Sequence, residues 1–87
     1  MNTEMRLDEL SAGDVAVVRS LSLEGDIRRR LQDIGLIEGT LVECLGKSPS
    51  GDPHAYLIRG AVIAIRAANG KQVLVSRIDG EDEASWD

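Results

Sequence analysis

A chain of 87 residues makes one small domain that buries only about 60–65 % of the surface its unfolded form exposes, so one modest core is all it can build. With no phenylalanine in an apolar fraction of 43 %, that core must come from Val, Ile, Leu and Ala, residues that suit strands, and the content is too apolar for a disordered chain. The formal net charge of −5 argues against binding phosphate backbones, which rely on Lys and Arg to displace counterions, and a lone cysteine excludes an internal disulfide, as suits a reducing cytosol.

In chain order, Met-Asn-Thr-Glu-Met-Arg has no basic region leading into an apolar stretch, so it does not read as a secretory signal. Leu7-Asp8-Glu9-Leu10 reads as a short helical turn, and Ser11-Ala12-Gly13-Asp14 as a tight turn. The β-branched run Val15-Ala16-Val17-Val18-Arg19 is the first predicted strand.

Between residues 24 and 34 the period changes, with Ile27, Leu31 and Ile34 at i, i+4 and i+7 and charged residues between them, the pattern of an amphipathic helix. Glu24 and Asp26 sit near its positive end. Gly35 followed by Leu36 predicts a Schellman ending, with Leu36 folded back onto Leu31.

A turn at Ile37-Glu38-Gly39-Thr40 leads into a second strand over residues 40–45. Residues 46–53, with two prolines and two glycines, are a loop. Residues 56–59, 62–66 and 72–75 supply three more strands, the last two joined by a predicted hairpin turn at Asn69-Gly70. The longest apolar run, Ala61-Val62-Ile63-Ala64-Ile65, is far short of the roughly 18–20 residues that span a bilayer. Residues 1–78 therefore read as a mainly β domain. It has five short antiparallel strands curled into a small, partly open barrel, with one α-helix between the first and second.

The acidity is largely local. Asp79, Glu81, Asp82, Glu83 and Asp87 fall in residues 79–87, which read as a solvated acidic tail whose removal leaves the rest near neutrality. These carboxylates lack the spacing of a calcium loop. Trp86 in this tail is either an exposed aromatic without a role or an anchor for a partner.

Few residues are equipped for chemistry. Cys44 and His54 flank one loop and are the only pair from which a nucleophile and base could be drawn. Nothing marks a third group to orient the histidine, and one Cys with one His is not a zinc motif. Cys44 is expected as a small, partly buried apolar residue and His54 as a solvated loop residue. No Gly-rich phosphate-binding pattern is present. No catalytic, cofactor-binding or metal residue is assigned. Arg28, Arg29 and Arg30 lie about 100° apart around the helix and cannot all face one surface.

The segments LDELSAGDVAVV, RRRLQDIGLIEGTLVE, SPSGDP, IRGAVIAIR and VLV, in this order, resemble the FeoA family of small cytosolic proteins of bacterial ferrous iron uptake, over about residues 6–78. The resemblance implies an SH3-like barrel and a non-enzymatic accessory role beside FeoB, a membrane permease with a cytosolic G-protein domain. Related barrels form the C-terminal domains of iron-dependent repressors, which makes a metal-responsive Fe or Mn sensor the alternative. Glu24 stands where those repressors carry a liganding Glu, but Ile27 cannot supply the second ligand.

The expected function is a cytoplasmic adaptor that works through its surface, with no nucleic acid partner and no insertion into the membrane. Its expected partner contacts are Arg28 and Arg29 on the exposed helix face, with Leu36, Ile37 and Tyr56 as the apolar shoulder beside them.

Overall fold

The structure, a computed structural model, describes residues 3–78. Six antiparallel strands form one sheet: β1 (Thr3–Arg6), β2 (Val15–Leu21), β3 (Leu41–Lys47), β4 (His54–Ile58), β5 (Ala61–Ile65) and β6 (Val73–Arg77). The spatial order is β1-β6-β2-β3-β4-β5, so β1 and β5 are edges and the sheet is not closed. A 3-10 turn (Leu7–Glu9) follows β1, helix α1 (Gly25–Asp33) joins β2 to β3, and a short helix α2 (Ala67–Gly70) joins β5 to β6. The mainly β antiparallel class and the placement of α1 match the reading from sequence.

Two expectations are corrected. There are six strands, not five, because Thr3-Glu4-Met5-Arg6 pairs with β6, Thr3 opposite Arg77 and Arg6 opposite Leu74. The predicted hairpin at Asn69-Gly70 is also absent. Those residues end α2, and β6 pairs with β1 and β2 while β5 pairs only with β4. Gly70 is needed here for closeness. A Cβ on it would lie 3.2 Å from the Cβ of Asp8, where α2 crosses the 3-10 turn.

Alternation of side chains builds the core. Ala16 and Val18 of β2, Val42 and Cys44 of β3, His54, Tyr56 and Ile58 of β4, and Val73 and Val75 of β6 all point inward and are buried. Leu7, Leu10, Leu23, Leu31 and Leu36 fill the space from the connecting segments. Register shifts in β2 between Val18 and Ser20, and in β3 between Cys44 and Gly46, add the local twist with which bulges bend a sheet around such a core.

The ending of α1 is the one expected. The Leu36 amide donates to Leu31 O at 2.9 Å and the Gly35 amide to Gln32 O at 3.0 Å, the paired bonds of a Schellman motif. Gly35 has φ +103°, and a Cβ there would fall 2.5 Å from Cδ of Arg59. Arg59 has room to move, but the backbone angle does not relax. Gly35→Ala is therefore expected to destabilise the domain by about 1–2 kcal/mol. On a domain of this size that lowers Tm by roughly 4–16 °C, which a thermal melt checks.

The loop over residues 48–53 is tied down from inside. The Ser48 amide donates to Pro53 O at 3.0 Å and the Gly51 amide to Ser48 O at 2.8 Å. The Asp52 carboxylate accepts the Ala67 amide at 2.9 Å, so the Gly-Asp-Pro sequence anchors the start of α2.

Candidate partner-binding site

Helix α1 carries the exposed charges, so the site is built outward from it. Ile27, Leu31 and Ile34 turn toward the sheet, leaving Arg29 exposed and Arg28 half-buried on the flank that faces β2 and the α1–β3 connection. Arg28 and Gln32, four residues apart, share one face of the helix. With Ser20 and Leu21 at the end of β2, and Ile37 and Glu38 beyond the helix, they line an open depression of about 400 Å3. It offers both charge signs, an amide and two apolar side chains, half-buried Leu21 and Ile37, which is 40 % exposed. Such a surface can hold a partner by contact.

The five residues singled out from sequence part company here. Arg29 and Ile37 are at the surface as expected. Arg28 is present but is also structural, its Nη1 donating to Leu21 O and Leu23 O, each at 3.2 Å, which ties the start of the helix to the end of β2. Reversing its charge would disturb the fold as well as the surface.

Leu36 and Tyr56 are corrections. Leu36 is 0 % and Tyr56 1 % exposed, so neither side chain is available to a partner. Leu36 is drawn in by the Schellman turn, and Tyr56 by inward alternation along β4. Gln32 and Glu38 were not singled out from sequence. The i+4 spacing from Arg28 was the available signal for Gln32, whereas Glu38 depends on how the turn after α1 folds.

The Cys44 and His54 pair does not come together as chemistry. His54 is 5 % exposed and is the first residue of β4, a correction to its reading as a solvated loop residue. Its Nδ1 lies 3.2 Å from the hydroxyl oxygen of Tyr56, and that hydroxyl donates to Leu7 O at 3.1 Å. The thiol of Cys44 donates instead to Leu10 O at 3.6 Å.

Burial, opposed in part by the backbone hydrogen bond at Gly46, pushes the Cys44 thiol up from its ordinary value, the opposite of what activates a nucleophile. Among the described residues no three His, Cys, Asp or Glu side chains group to hold a metal ion. Glu24 is the N-cap residue of α1 with no side-chain cap bond, and Ile27 packs against the core.

A family model described as the FeoA domain matches residues 5–83. The curated Fe(2+) transport protein A/Fe(2+) transporter FeoB fusion protein of Porphyromonas gingivalis is 28 % identical over 81 residues, covering 93 % of this chain. The chain spans only 10 % of that fusion protein's length.

Among solved structures, FeoA of Chlorobium tepidum is 37 % identical, with a TM-score of 0.82 over 87 % of this chain and 72 % of that one. A zinc complex of Stenotrophomonas maltophilia FeoA, described as a prokaryotic SH3 domain protein, is 32 % identical, with a TM-score of 0.71 over 88 % and 92 % of the two chains. A manganese-dependent transcriptional repressor shares the fold alone, at 15 % identity and a TM-score of 0.77 over 90 % of this chain and 44 % of its own.

Proposed function

The chain belongs to the FeoA family, a family of small SH3-like domains associated with ferrous iron transport, and we propose that it is a non-enzymatic accessory protein of ferrous iron uptake acting by contact with a FeoB-type permease. The observation that carries this reading is the fusion of an FeoA segment and FeoB in one Porphyromonas gingivalis chain. Two domains joined covalently in one protein are held at high effective concentration, and the same contact made between separate chains requires a binding surface.

The depression lined by Leu21 and Ile37 among Ser20, Arg28, Gln32 and Glu38, with exposed Arg29 next to Arg28 on the helix, offers a small apolar area with a polar rim, the anatomy of a transient interface. No helix among the described residues is long and apolar enough to cross a membrane. In this reading the domain meets the permease from the cytosol, at its G-protein domain.

The test is an amide-resonance titration of this chain with that G-protein domain. Arg29→Glu combined with Ile37→Asp is expected to weaken binding by about tenfold or more, the effect of losing one anchor and one rim charge, with Tm nearly unchanged. Full binding by the double variant would remove this surface from the proposal. No shifts with the unmodified chain would remove the partner.

A further inference from the structure

The opposite flank of α1 holds a second concavity that the partner reading does not use. It is a groove of about 410 Å3 between α1 and the edge strand β5. Ile27 and Ile34 form one wall and Ile63 the other, Arg30 and Arg66 stand at the rim, and Asn69 lies at one end. The three isoleucines are only half-buried and both arginines are exposed. The one ion pair among the described residues is elsewhere, between Arg77 and Asp14 at 3.9 Å. An apolar floor between two cations without ion-pair partners is the complement of an acidic segment that carries one large apolar side chain.

The chain itself contains such a segment. Residues 79–87 read Asp-Gly-Glu-Asp-Glu-Ala-Ser-Trp-Asp, with five carboxylates, no cation and the chain's only tryptophan. Residues 1–78, with ten cations and ten carboxylates, are neutral, so the whole charge imbalance of the protein lies in this segment.

The reach is sufficient. Arg77 lies opposite Ala16, Val15 opposite Glu43, Lys47 opposite His54, and His54 opposite Ile65. β6 and β5 therefore run toward the same end of the sheet, and through Ala16, Val42 and Ile58 Arg77 is level with Ala61, the first residue of β5. Four interstrand spacings of about 4.8 Å, together with the two to four residues by which Ile63 and Ile65 lie beyond that level, separate Arg77 from the groove side of β5 by roughly 20–23 Å. The eight Cα-to-Cα steps from Ile78 to Trp86 reach roughly 26–29 Å when extended.

We propose that residues 79–87 dock back into the groove between α1 and β5. Trp86 lies on Ile27, Ile34 and Ile63, and the carboxylates of Glu81, Asp82 and Glu83 face Arg30 and Arg66. An indole on an apolar floor beside two guanidinium groups gains area burial and cation–π attraction together. The tail then acts as an internal occupant that any outside ligand of this groove has to displace. The depression at Arg28 and Ile37 lies on the other flank of the helix and stays open.

Because Trp86 is the only tryptophan, its fluorescence in the full chain, with no partner present, reads the docking directly and independently of the permease reading. In the unmodified protein Trp86 is expected to be blue-shifted and shielded from acrylamide. Arg30→Glu with Arg66→Glu should lower the docking equilibrium roughly tenfold, from two exposed ion pairs lost, and expose Trp86, with Tm falling by no more than docking contributed. Salt near 1 M, where the screening length falls to about 3 Å, should act in the same direction. Trp86→Ala should shift the amide resonances of Ile27, Ile34 and Ile63.

Equal quenching of Trp86 in the unmodified chain and the charge-reversed variant would overturn the proposal. So would shielding that grows with protein concentration, because the occupant would then be the tail of a second copy.

Discussion

Leu36→Ala is expected to cost about 3–4 kcal/mol, the usual consequence of emptying a fully buried leucine site that collapses only in part. For a domain of this size that lowers Tm by roughly 12–32 °C. Leu36 is 0 % exposed and packs in the cluster with Leu31, Leu23 and Val42, at the point where the backbone has turned from α1 toward β3. Removing its side chain also strips the apolar contact that accompanies the Schellman bonds, so the helix end loosens as the core opens. Ile37→Ala, one residue along, removes an exposed side chain and should stay within about 0.5 kcal/mol. Thermal or urea unfolding of the two variants separates the roles. A Leu36→Ala protein with an unchanged midpoint and impaired partner binding would return Leu36 to the surface.

Stability is expected to fall steeply above pH 9–10. Tyr56 and Cys44 are both held neutral inside. Burial pushes the Tyr56 phenol well above its ordinary value of 10, with a Cys44 thiolate, once it forms, and the Asp8 and Asp52 carboxylates adding to it. The Cys44 thiol is pushed above 9, again by burial first, with the Asp14 carboxylate adding and the Gly46 backbone bond and Lys47 opposing.

Below pH 9 each group keeps its proton in both states and contributes nothing to the pH dependence. Above its ordinary value the unfolded chain releases the proton while the folded chain retains it. The unfolded state then binds fewer protons, and stability drops by about 1.4 kcal/mol per pH unit for each such group. Between pH 10 and pH 12 Tyr56 alone accounts for about 2 kcal/mol, because the unfolded phenol is only half ionised at pH 10. As this is the only tyrosine, tyrosinate absorbance should appear together with unfolding and not before it. Tyr56→Phe costs about 1 kcal/mol at neutral pH for the lost bond to Leu7 O and should shrink the alkaline slope by one proton. Equal slopes in the two proteins would rule out the assignment.

The contrast between Leu36 and Ile37 shows how far a sequence pattern carries. The i, i+4, i+7 spacing of Ile27, Leu31 and Ile34, followed by Gly-Leu, is a local signal, and the helix with its ending formed as that signal indicates. The inward side of Leu36 follows from the same motif, whose apolar contact turns that side chain back onto Leu31. Tyr56 and His54 were also legible in part. Counting back from Ile58 in steps of two along an antiparallel strand puts both on the core face. That count needs β4 to begin at residue 54 and not 56, and the loop residues Asp52 and Pro53 obscured the start.

Other features had no local signature. Thr3-Glu4-Met5-Arg6 is polar and short, and it becomes a strand only because β6, about seventy residues later, presents a free edge. Asn69-Gly70 carries the strongest turn signal in the chain, but the close approach of Asp8 overrides it and β5 never pairs with β6. The two concavities on either flank of α1 were likewise invisible, because each joins helix residues to positions brought alongside only by sheet pairing.

Local chain chemistry accounts for the strand-rich composition, the helix α1, its glycine-dependent stop and the concentration of negative charge in residues 79–87, because each depends on neighbours within a few bonds or one helical turn. Long-range packing accounts for the sixth strand, the role of Gly70, the burial of His54 and Tyr56, and the division of the arginines between two surfaces. Those outcomes depend on which apolar faces meet and which backbone edges find partners across the whole sheet, and the free energy of such contacts resides in no single segment of the chain.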